Sequence, residues 1–229
     1  MSEEGARKRS ERSTPETMSR TFSASVYRAW RTKEEVADFY SNSVGNYDQD
    51  SRVERYKGPV IAANAMAKYF GNNIPQTKVL DVAAGTGLVG EQLQNRGFKH
   101  LDALDPAAGM LEQARKKNIY TNIYCEFLDG NRLPIDDDTY DCCVISGGMG
   151  EGHIPCRGLN ELIRLTRPGG LVCILMNESR HPQCRDYRDG LEQLIKELED
   201  AGKWKWLSRD RVPKYAFGDD GVRFTFRIC

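Results

Sequence analysis

The chain has no excess of charge of either sign, since 33 lysines and arginines balance 33 aspartates and glutamates over 229 residues. We therefore expect no nucleic-acid partner, because phosphate backbones are bound chiefly through an excess of basic side chains. Long apolar runs are absent as well, and the first 20 residues contain no apolar segment typical of a signal peptide. No membrane association and no secretion are predicted. We expect a monomer in the cytoplasm or in the nucleus.

Cysteine occurs seven times, an odd number, and no two positions have the C-x-x-C spacing typical of zinc and redox sites. Most cysteines lie in apolar stretches such as CCVI and LVCIL, where cysteine behaves as a small buried hydrophobe. His181, Cys184 and Asp186 lie close together in sequence, but no second cluster completes a set of metal ligands. We expect a reducing compartment, no disulfide framework and no metal.

The composition divides the chain into two parts. Residues 1–32 mix acidic, basic and hydroxyl side chains without apolar periodicity, which predicts a disordered tail. Residues 33–229 have the apolar patterning of one domain, with no internal repeat and no low-complexity linker. Within this domain we expect residues 33–57 to form an arm over a binding site.

Short apolar runs alternate with helical stretches through the domain, a pattern typical of a parallel sheet with helices on both faces. The last thirty residues differ, because WKWLSRDRV and GVRFTFRIC are strand-like runs separated by a short turn. The sequence thus predicts an α/β fold with a seven-stranded, mostly parallel sheet and a carboxyl-terminal antiparallel hairpin. The five earlier strands are predicted at about 78–83, 100–105, 121–127, 140–146 and 171–177.

The stretch KVLDVAAGTGLVGEQL places Gly85, Gly87 and Gly90 in a G-x-G-x-x-G pattern between a predicted strand and a helix. This pattern alone also fits a simple tight turn. Asp105, at the end of the next strand, has the spacing of a carboxylate that binds ribose hydroxyls, in either a nicotinamide dinucleotide or S-adenosylmethionine. Asp81, just before the glycines, would repel a pyrophosphate but suits the ammonium of a methionine moiety, so charge favours S-adenosylmethionine.

Two motifs, VLDVAAGTG and LDALDPAAGML, resemble those of the class I S-adenosylmethionine-dependent methyltransferases. The resemblance covers about residues 36–205. It implies a Rossmann-like fold, S-adenosylmethionine as cofactor and S-adenosylhomocysteine as product. We interpret the chain as a methyltransferase on this basis.

The resemblance also assigns roles to single residues. Gly85 and Gly87 would let the backbone pass beneath the methionyl part of the cofactor, and Asp105 would accept the ribose hydroxyls. Met110 would lie against the adenine, although Ala107 replaces the serine usual in this motif. A helix-core position is the alternative for Met110.

Further positions follow from the segment FLDGNRLP after the third predicted strand. By resemblance, Asp129 would accept from the adenine amine, while the Gly130 amide would reach a ring nitrogen. The alternative is a plain Asp-Gly turn.

The end of the fourth predicted strand and the arm supply the remaining candidates. Ser146 ends that strand, and in a parallel sheet this end opens into the ligand crevice, so we expect Ser146 near the cofactor. Tyr47 resembles a family tyrosine that folds over the methionine carboxylate, with Tyr40 and Tyr56 as lesser candidates. Aromatic packing within the arm is an equal alternative for these tyrosines.

Methyl transfer is an in-line displacement at an activated carbon, so positioning and desolvation can supply much of the acceleration. The sequence identifies no catalytic residue, and His153, after the fourth predicted strand, is the best-placed candidate for a general base. Cys156 lies too far beyond the strand end for a nucleophile. SGGMGEGHIP lacks the Asn/Asp-Pro-Pro-aromatic motif associated with methylation of amino groups in adenine or glutamine.

Two functions remain open at this point. The first is methylation of a small-molecule or protein acceptor, and the absence of an appended recognition domain favours a small molecule. The alternative is a regulatory or scaffold protein that binds S-adenosylmethionine or S-adenosylhomocysteine without catalysis. A nicotinamide-dependent dehydrogenase is disfavoured by Asp81.

Overall fold

The computed structural model describes residues 32–51, 54–150, 152–178, 187 and 190–229. The tail predicted for residues 1–32 lies outside these ranges except for Thr32. The helices are α1 (Lys33–Asn42), α2 (Val44–Asp50), α3 (Gly58–Phe70), α4 (Leu88–Gln94), α5 (Ala108–Lys116), α6 (Gly158–Leu165) and α7 (Leu191–Asp200), with a 3₁₀ helix at Gly71–Gln76. The strands are β1 (Lys78–Val82), β2 (His100–Leu104), β3 (Ile123–Tyr124), β4 (Tyr140–Ser146), β5 (Thr166–Asn177), β6 (Trp204–Ala216) and β7 (Asp219–Ile228).

The strands form one seven-stranded sheet in the order β3-β2-β1-β4-β5-β7-β6. β1 to β5 run parallel, while β7 pairs antiparallel with both β5 and β6. The predicted fold class is therefore confirmed. Within the carboxyl-terminal hairpin, β6 is the edge strand of the sheet, and β7 lies between β5 and β6. β3 is shorter than predicted, since it pairs with β2 only at Ala103 and Leu104.

The core lies on both faces of the sheet, because successive side chains of a strand point to opposite sides. Val79 and Cys142 pack on one face with α3 and α4. Leu80 and Cys143 pack on the other face with α6 and α7. The adjacent cysteines thus fill positions that aliphatic residues fill in the neighbouring strands, as their apolar context predicts.

The arm that precedes α3 is attached at both of its ends. Thr32 and Glu35 form a capping box at the start of α1, which satisfies backbone donors that the first helical turn leaves unpaired. The Gly109 amide of α5 donates to Ser41 Oγ at 3.4 Å, so α1 lies against α5. At its other end the arm forms an isolated antiparallel bridge from Tyr56 to Ala216 of β6.

The strand order reverses at β1, whose neighbours are β2 on one side and β4 on the other. Helices following these strands return on opposite faces, so a crevice opens beyond the carboxyl ends of β1 and β4. Parallel pairing of β1, β2, β4 and β5 brings their carboxyl ends to this same edge. The topology therefore places the glycine loop and Ser146 on one crevice.

The part of the chain that the structure describes contains no helix with the length and apolar character needed to cross a membrane.

Candidate functional site

A cavity of about 330 Å³ lies at the carboxyl ends of the parallel strands, beneath the arm. This volume is near the lower end of the range for small-molecule sites. One end of the cavity, which we call the β2 end, is bounded by the loops after β2 and β3. The other, the β4 end, is bounded by the loop after β4, by Asn177 at the end of β5 and by the β6–β7 turn. The walls include Val82, Ala83, Gly85, Leu104, Asp105, Leu128, Asp129, Ser146, Gly147, His153, Asn177 and Tyr215.

The glycine loop connects β1 to α4 and has three glycines with different structural roles. Gly85 has φ +56°, and a Cβ at this position would meet nothing within 4 Å, so its backbone faces open cavity. Gly87 has φ +90° and caps α4 in the left-handed conformation. Gly90 lies in α4, where a Cβ would stand 2.2 Å from Tyr120 Oη. Of these three, only Gly85 lines the cavity.

Asp105 is fixed by backbone donors at the end of β2. Its Oδ2 accepts from the Gly85 amide at 2.9 Å, and its Oδ1 accepts from the Ala107 amide at 2.8 Å. Burial raises the pKa of this carboxyl to about 6, although both hydrogen bonds act in the opposite direction. The carboxylate lines the cavity, so each oxygen has a further lone pair available for a ligand hydroxyl.

Asp81 lies behind the glycine loop and does not line the cavity. Its Oδ2 accepts from the Gly90 amide at 3.0 Å and from Tyr120 Oη at 2.6 Å. Oδ1 is buried and has no hydrogen-bond partner among the described residues. Burial raises the pKa of Asp81 to about 7, against the two hydrogen bonds. Oδ1 is thus the oxygen of Asp81 that the described residues leave without a hydrogen bond, and the contact with a ligand ammonium stays a prediction.

The β2 end of the cavity contains Met110 and Asp129, two of the residues named from the sequence. Met110 of α5 is buried and lines the cavity. The Asp129 carboxylate forms an ion pair with Lys33 Nζ of α1, and this hydrogen bond lowers the pKa of Asp129. Arg157 Nε donates to the Asp129 carbonyl oxygen. Gly130 has φ +96° and is exposed, and it does not line the cavity.

The β4 end of the cavity is lined by hydroxyl groups. Ser146 Oγ lies 2.8 Å from Tyr56 Oη, and Tyr56 Oη lies 3.4 Å from Tyr215 Oη. The Tyr56 and Tyr215 rings pack edge to face, with centroids 5.5 Å apart. Tyr47 of α2 also lines the cavity and packs edge to face with Tyr40, with centroids 6.2 Å apart. Ser146 and all three arm tyrosines named by the sequence thus reach one cavity.

His153 lies in the loop after β4 and also lines the cavity. Its Nε2 is 3.2 Å from Tyr40 Oη of α1, and the two rings pack edge to face with centroids 5.7 Å apart. Cys156 instead packs against the core cluster beneath α6 and does not line the cavity. Among the described residues no group of three or more metal-ligating side chains occurs. His181, Cys184 and Asp186 lie outside the described residues.

Sequence reasoning did not identify four residues of this site: Lys33, Tyr120, Arg157 and Tyr215. Each reaches the site through contacts between distant segments. Lys33 pairs with a residue 96 positions away, and the Tyr56–Tyr215 contact spans 159 positions. For Tyr120 the sequence did contain one indication. Gly90 lies in a predicted helix, and a glycine inside a helix indicates that another group packs closely against it.

Comparison with known proteins identifies the family. A family model described as a methyltransferase domain matches residues 79–170. Human methyltransferase-like protein 27 is 34% identical over 169 residues, which are 74% of this chain and 68% of that protein. The chain therefore belongs to the class I S-adenosylmethionine-dependent methyltransferases. Within this class it resembles methyltransferase-like protein 27.

Two further proteins are similar to this chain over most of its length. A demethylmenaquinone methyltransferase of Renibacterium salmoninarum is 33% identical over 161 residues, 68% of this chain and 63% of that protein. This chain thus spans less than two thirds of that relative. The crystal structure of Burkholderia thailandensis 1,6-didemethyltoxoflavin-N1-methyltransferase, with 1,6-didemethyltoxoflavin and S-adenosylhomocysteine bound, has a TM-score of 0.61 and 21% identity. The matched region covers 88% of this chain and 92% of that enzyme's chain. This likeness shows the shared fold.

Proposed function

We propose that this protein binds S-adenosylmethionine in the cavity and transfers its methyl group to a small-molecule acceptor. One observation carries the proposal most strongly. Asp105 and Gly85 are joined by a 2.9 Å hydrogen bond on the cavity wall, at the strand order reversal where α/β sheets bind ligands. The carboxylate and the open backbone are the two features that a ribose and a methionyl chain require.

The residues at the β2 end fit the nucleoside part of the cofactor. Asp105 would accept the ribose hydroxyls, with its geometry fixed in advance by two backbone amides. Met110 would cover one side of the adenine, and Asp129 would accept from the adenine amine. Because Lys33 occupies the Asp129 carboxylate here, the adenine contact needs the second oxygen of that carboxylate.

The residues around β1 and β4 fit the methionine part. Gly85 would let this part pass close to the backbone, and Tyr47 would cover its carboxylate from the arm. Oδ1 of Asp81, buried without a partner among the described residues, suits a water-mediated bond to the ammonium. Ser146 would lie near the methyl group. When bound, the cofactor supplies a methyl carbon already activated by the positive sulfur.

A small acceptor is supported by the relatives and by the cavity. The bacterial relative and the structural neighbour above carry names with small-molecule acceptors. The cavity is enclosed by the arm and by the β6–β7 turn, which leaves room for a small molecule rather than a protein surface. The chain's own residues would bind the acceptor, orient it and exclude water.

Calorimetric titration of S-adenosylmethionine and S-adenosylhomocysteine tests the binding step. We expect Asp105→Ala to weaken the binding of both ligands by 100-fold or more, since the variant loses two ribose hydrogen bonds to a charged carboxylate. Asp136→Ala is the matched control, because Asp136 is exposed and outside the cavity. The absence of wild-type binding would refute the proposal.

Transfer is tested separately with methyl-labelled S-adenosylmethionine and a panel of small acceptors. We expect labelled product together with S-adenosylhomocysteine. Binding without product across the panel and in a cell extract would favour the non-catalytic alternative.

A further inference from the structure

Tyr40 and His153 meet across the cavity from two separate parts of the fold. Tyr40 lies on α1 in the arm, whereas His153 lies in the loop after β4, 113 positions away. Tyr40 Oη stands 3.2 Å from His153 Nε2, and both side chains line the cavity. This is the one contact among the described residues in which an imidazole nitrogen of the cavity faces a phenol.

The protonation state of this pair sets the direction in which a proton can move between Tyr40 and His153. If Tyr40 donates to Nε2, the imidazole is neutral and carries its proton on Nδ1. Tyr40 lines the cavity, and a phenolic oxygen that donates its proton can also accept a hydrogen bond from a ligand hydroxyl. A proton could therefore leave a ligand hydroxyl and reach the imidazole through Tyr40, without a charged side chain in the path.

The charge on the cavity wall restricts what can bind next to this pair. Among the described lining residues, the lysine and arginine side chains are Lys33 and Arg157, and both contact Asp129 at the β2 end. At the β4 end, Tyr56 Oη lies within hydrogen-bond distance of both Ser146 Oγ and Tyr215 Oη, and all three groups are uncharged. Asp219, at the start of β7, adds a carboxylate to this end. Among the residues that the structure describes, the β4 end thus offers no cationic partner to an anionic acceptor, whereas a neutral ring with a hydroxyl finds aromatic and polar contacts there.

We propose that the β4 end of the cavity binds a neutral phenolic or enolic acceptor, and that Tyr40 and His153 remove its proton during O-methylation. This inference rests on the proposed function. The acceptor oxygen attacks the methyl carbon, a C–O bond forms, and the C–S bond breaks with its electron pair going to sulfur. The acceptor proton passes to Tyr40 Oη while the Tyr40 proton passes to His153 Nε2. The products are a neutral methyl ether, S-adenosylhomocysteine and an imidazolium ion, which later releases its proton to water.

One consequence is that the arm takes part in the reaction as well as covering the cavity. Tyr40 reaches His153 only because α1 lies over the strand ends, held there by the Lys33–Asp129 pair and by the contact of Ser41 with α5. The proton acceptor is complete only with the arm in this position. Proton removal and enclosure of the acceptor are thereby linked.

The decisive experiment compares two phenols of different acidity as labelled-methyl acceptors: phenol, which is protonated at neutral pH, and 4-nitrophenol, which ionises near neutral pH. We expect His153→Gln and Tyr40→Phe to lower the rate on phenol about 100-fold, the size of a lost general base. The 4-nitrophenolate anion should bind the β4 end weakly, so both substrates are assayed at saturating concentration. On 4-nitrophenol the loss in kcat should be less than tenfold, because this substrate needs no base. His100→Gln and Tyr69→Phe are matched controls, since both residues are exposed and neither lines the cavity.

Equal losses on the two phenols would show a structural role for the pair and overturn the proposed proton path. Methylation of 4-nitroaniline or 4-nitrothiophenol but of neither phenol would overturn the acceptor class while leaving the proposed function intact. Failure of the wild type to bind S-adenosylmethionine by calorimetry would instead remove the proposed function itself.

Nitrogen NMR of the S-adenosylhomocysteine complex provides a second test that needs no acceptor. We expect the His153 signals of a neutral ring protonated on Nδ1, with Nε2 hydrogen-bonded, and a shift of the Nε2 signal in Tyr40→Phe. An unchanged Nε2 signal in this variant would contradict the contact on which the proposal depends.

Discussion

The two ends of the cavity are held together by different kinds of contact. At the β2 end, Asp105 is fixed by amides of Gly85 and Ala107, which lie 20 and two positions away. At the β4 end, side chains from the arm, the β4 loop and the hairpin contact one another across 90 to 159 positions. The surroundings of Asp105 are thus a local strand–loop–helix unit, and the Lys33–Asp129 pair is the long-range contact of the β2 end, whereas every one of these β4-end contacts joins distant segments. This difference predicts that changes at the glycine loop act on stability and cofactor binding, and that changes at the β4 end act on the acceptor.

The largest expected effect comes from the buried carboxylate behind the glycine loop. Burial raises the pKa of Asp81 to about 7, so the folded state takes up a proton that the unfolded chain has released. The contribution of this group to stability is full below pH 4 and is lost as the pH rises through 7. We expect Asp81→Asn to raise the free energy of unfolding by about 3 to 4 kcal/mol at pH 8 and by nearly nothing at pH 4.

The side-chain amide introduced by Asp81→Asn is expected to fit, because its oxygen can accept hydrogen bonds from both the Gly90 backbone amide and Tyr120 Oη. Urea denaturation at the two pH values measures the difference, with Asp136→Asn as the exposed control. A loss of stability in Asp81→Asn at pH 8 would contradict this account.

A second effect tests packing at the same loop. The Cβ of Gly90→Ala would lie 2.2 Å from Tyr120 Oη and 2.5 Å from Cζ of that ring, so the ring must move and its bond to Asp81 must lengthen. We expect destabilisation by about 1 to 3 kcal/mol in thermal or urea unfolding. Gly45→Ala is the control, because a Cβ there meets nothing within 4 Å. Equal stability of the two variants would mean that Tyr120 is free to shift.

Cofactor binding should depend on pH through Asp105. Burial raises the pKa of its carboxyl to about 6. Under the proposed function, the ionised form would accept both ribose hydroxyls. S-adenosylhomocysteine affinity should therefore be constant above pH 7 and fall by about tenfold per unit below pH 6, or about 1.4 kcal/mol per unit. The Asp105→Asn variant should bind S-adenosylhomocysteine weakly, and its affinity should not change with pH between pH 7 and 5. A wild-type affinity unchanged at pH 5 would exclude this role of Asp105.

The smallest effect is expected at the β4 end. Ser146→Ala removes one partner of Tyr56, which retains Tyr215 within 3.4 Å. We expect a loss of about 1 kcal/mol or less in stability and less than a threefold change in S-adenosylhomocysteine affinity. If Ser146→Ala weakened S-adenosylhomocysteine binding as strongly as Asp105→Ala does, the proposed division of the cavity into two ends would be wrong.

The sequence by itself determined the fold and the cofactor loop. Strand positions followed from apolar runs such as Val79–Leu80 and Cys142–Cys143, because backbone geometry alternates side chains between the two faces of a sheet. The glycine loop and Asp105 could be located because their roles depend on backbone conformation and on a spacing of 20 residues. The roles assigned to the single binding residues stay predictions until the experiments above are done.

Only the tertiary structure decided the pairings that complete the site. Asp81 pairs with Tyr120, Asp129 with Lys33, and His153 with Tyr40. Gly90 indicates that some group packs closely against α4, but no local pattern identifies which residue pairs with which. The physical reason is that a loop side chain has no periodic signal, and its neighbours are set by where separate segments pack. Local backbone geometry can be deduced from sequence order, whereas contacts across about 40 to 113 positions depend on the folded sheet and on the arm that covers it.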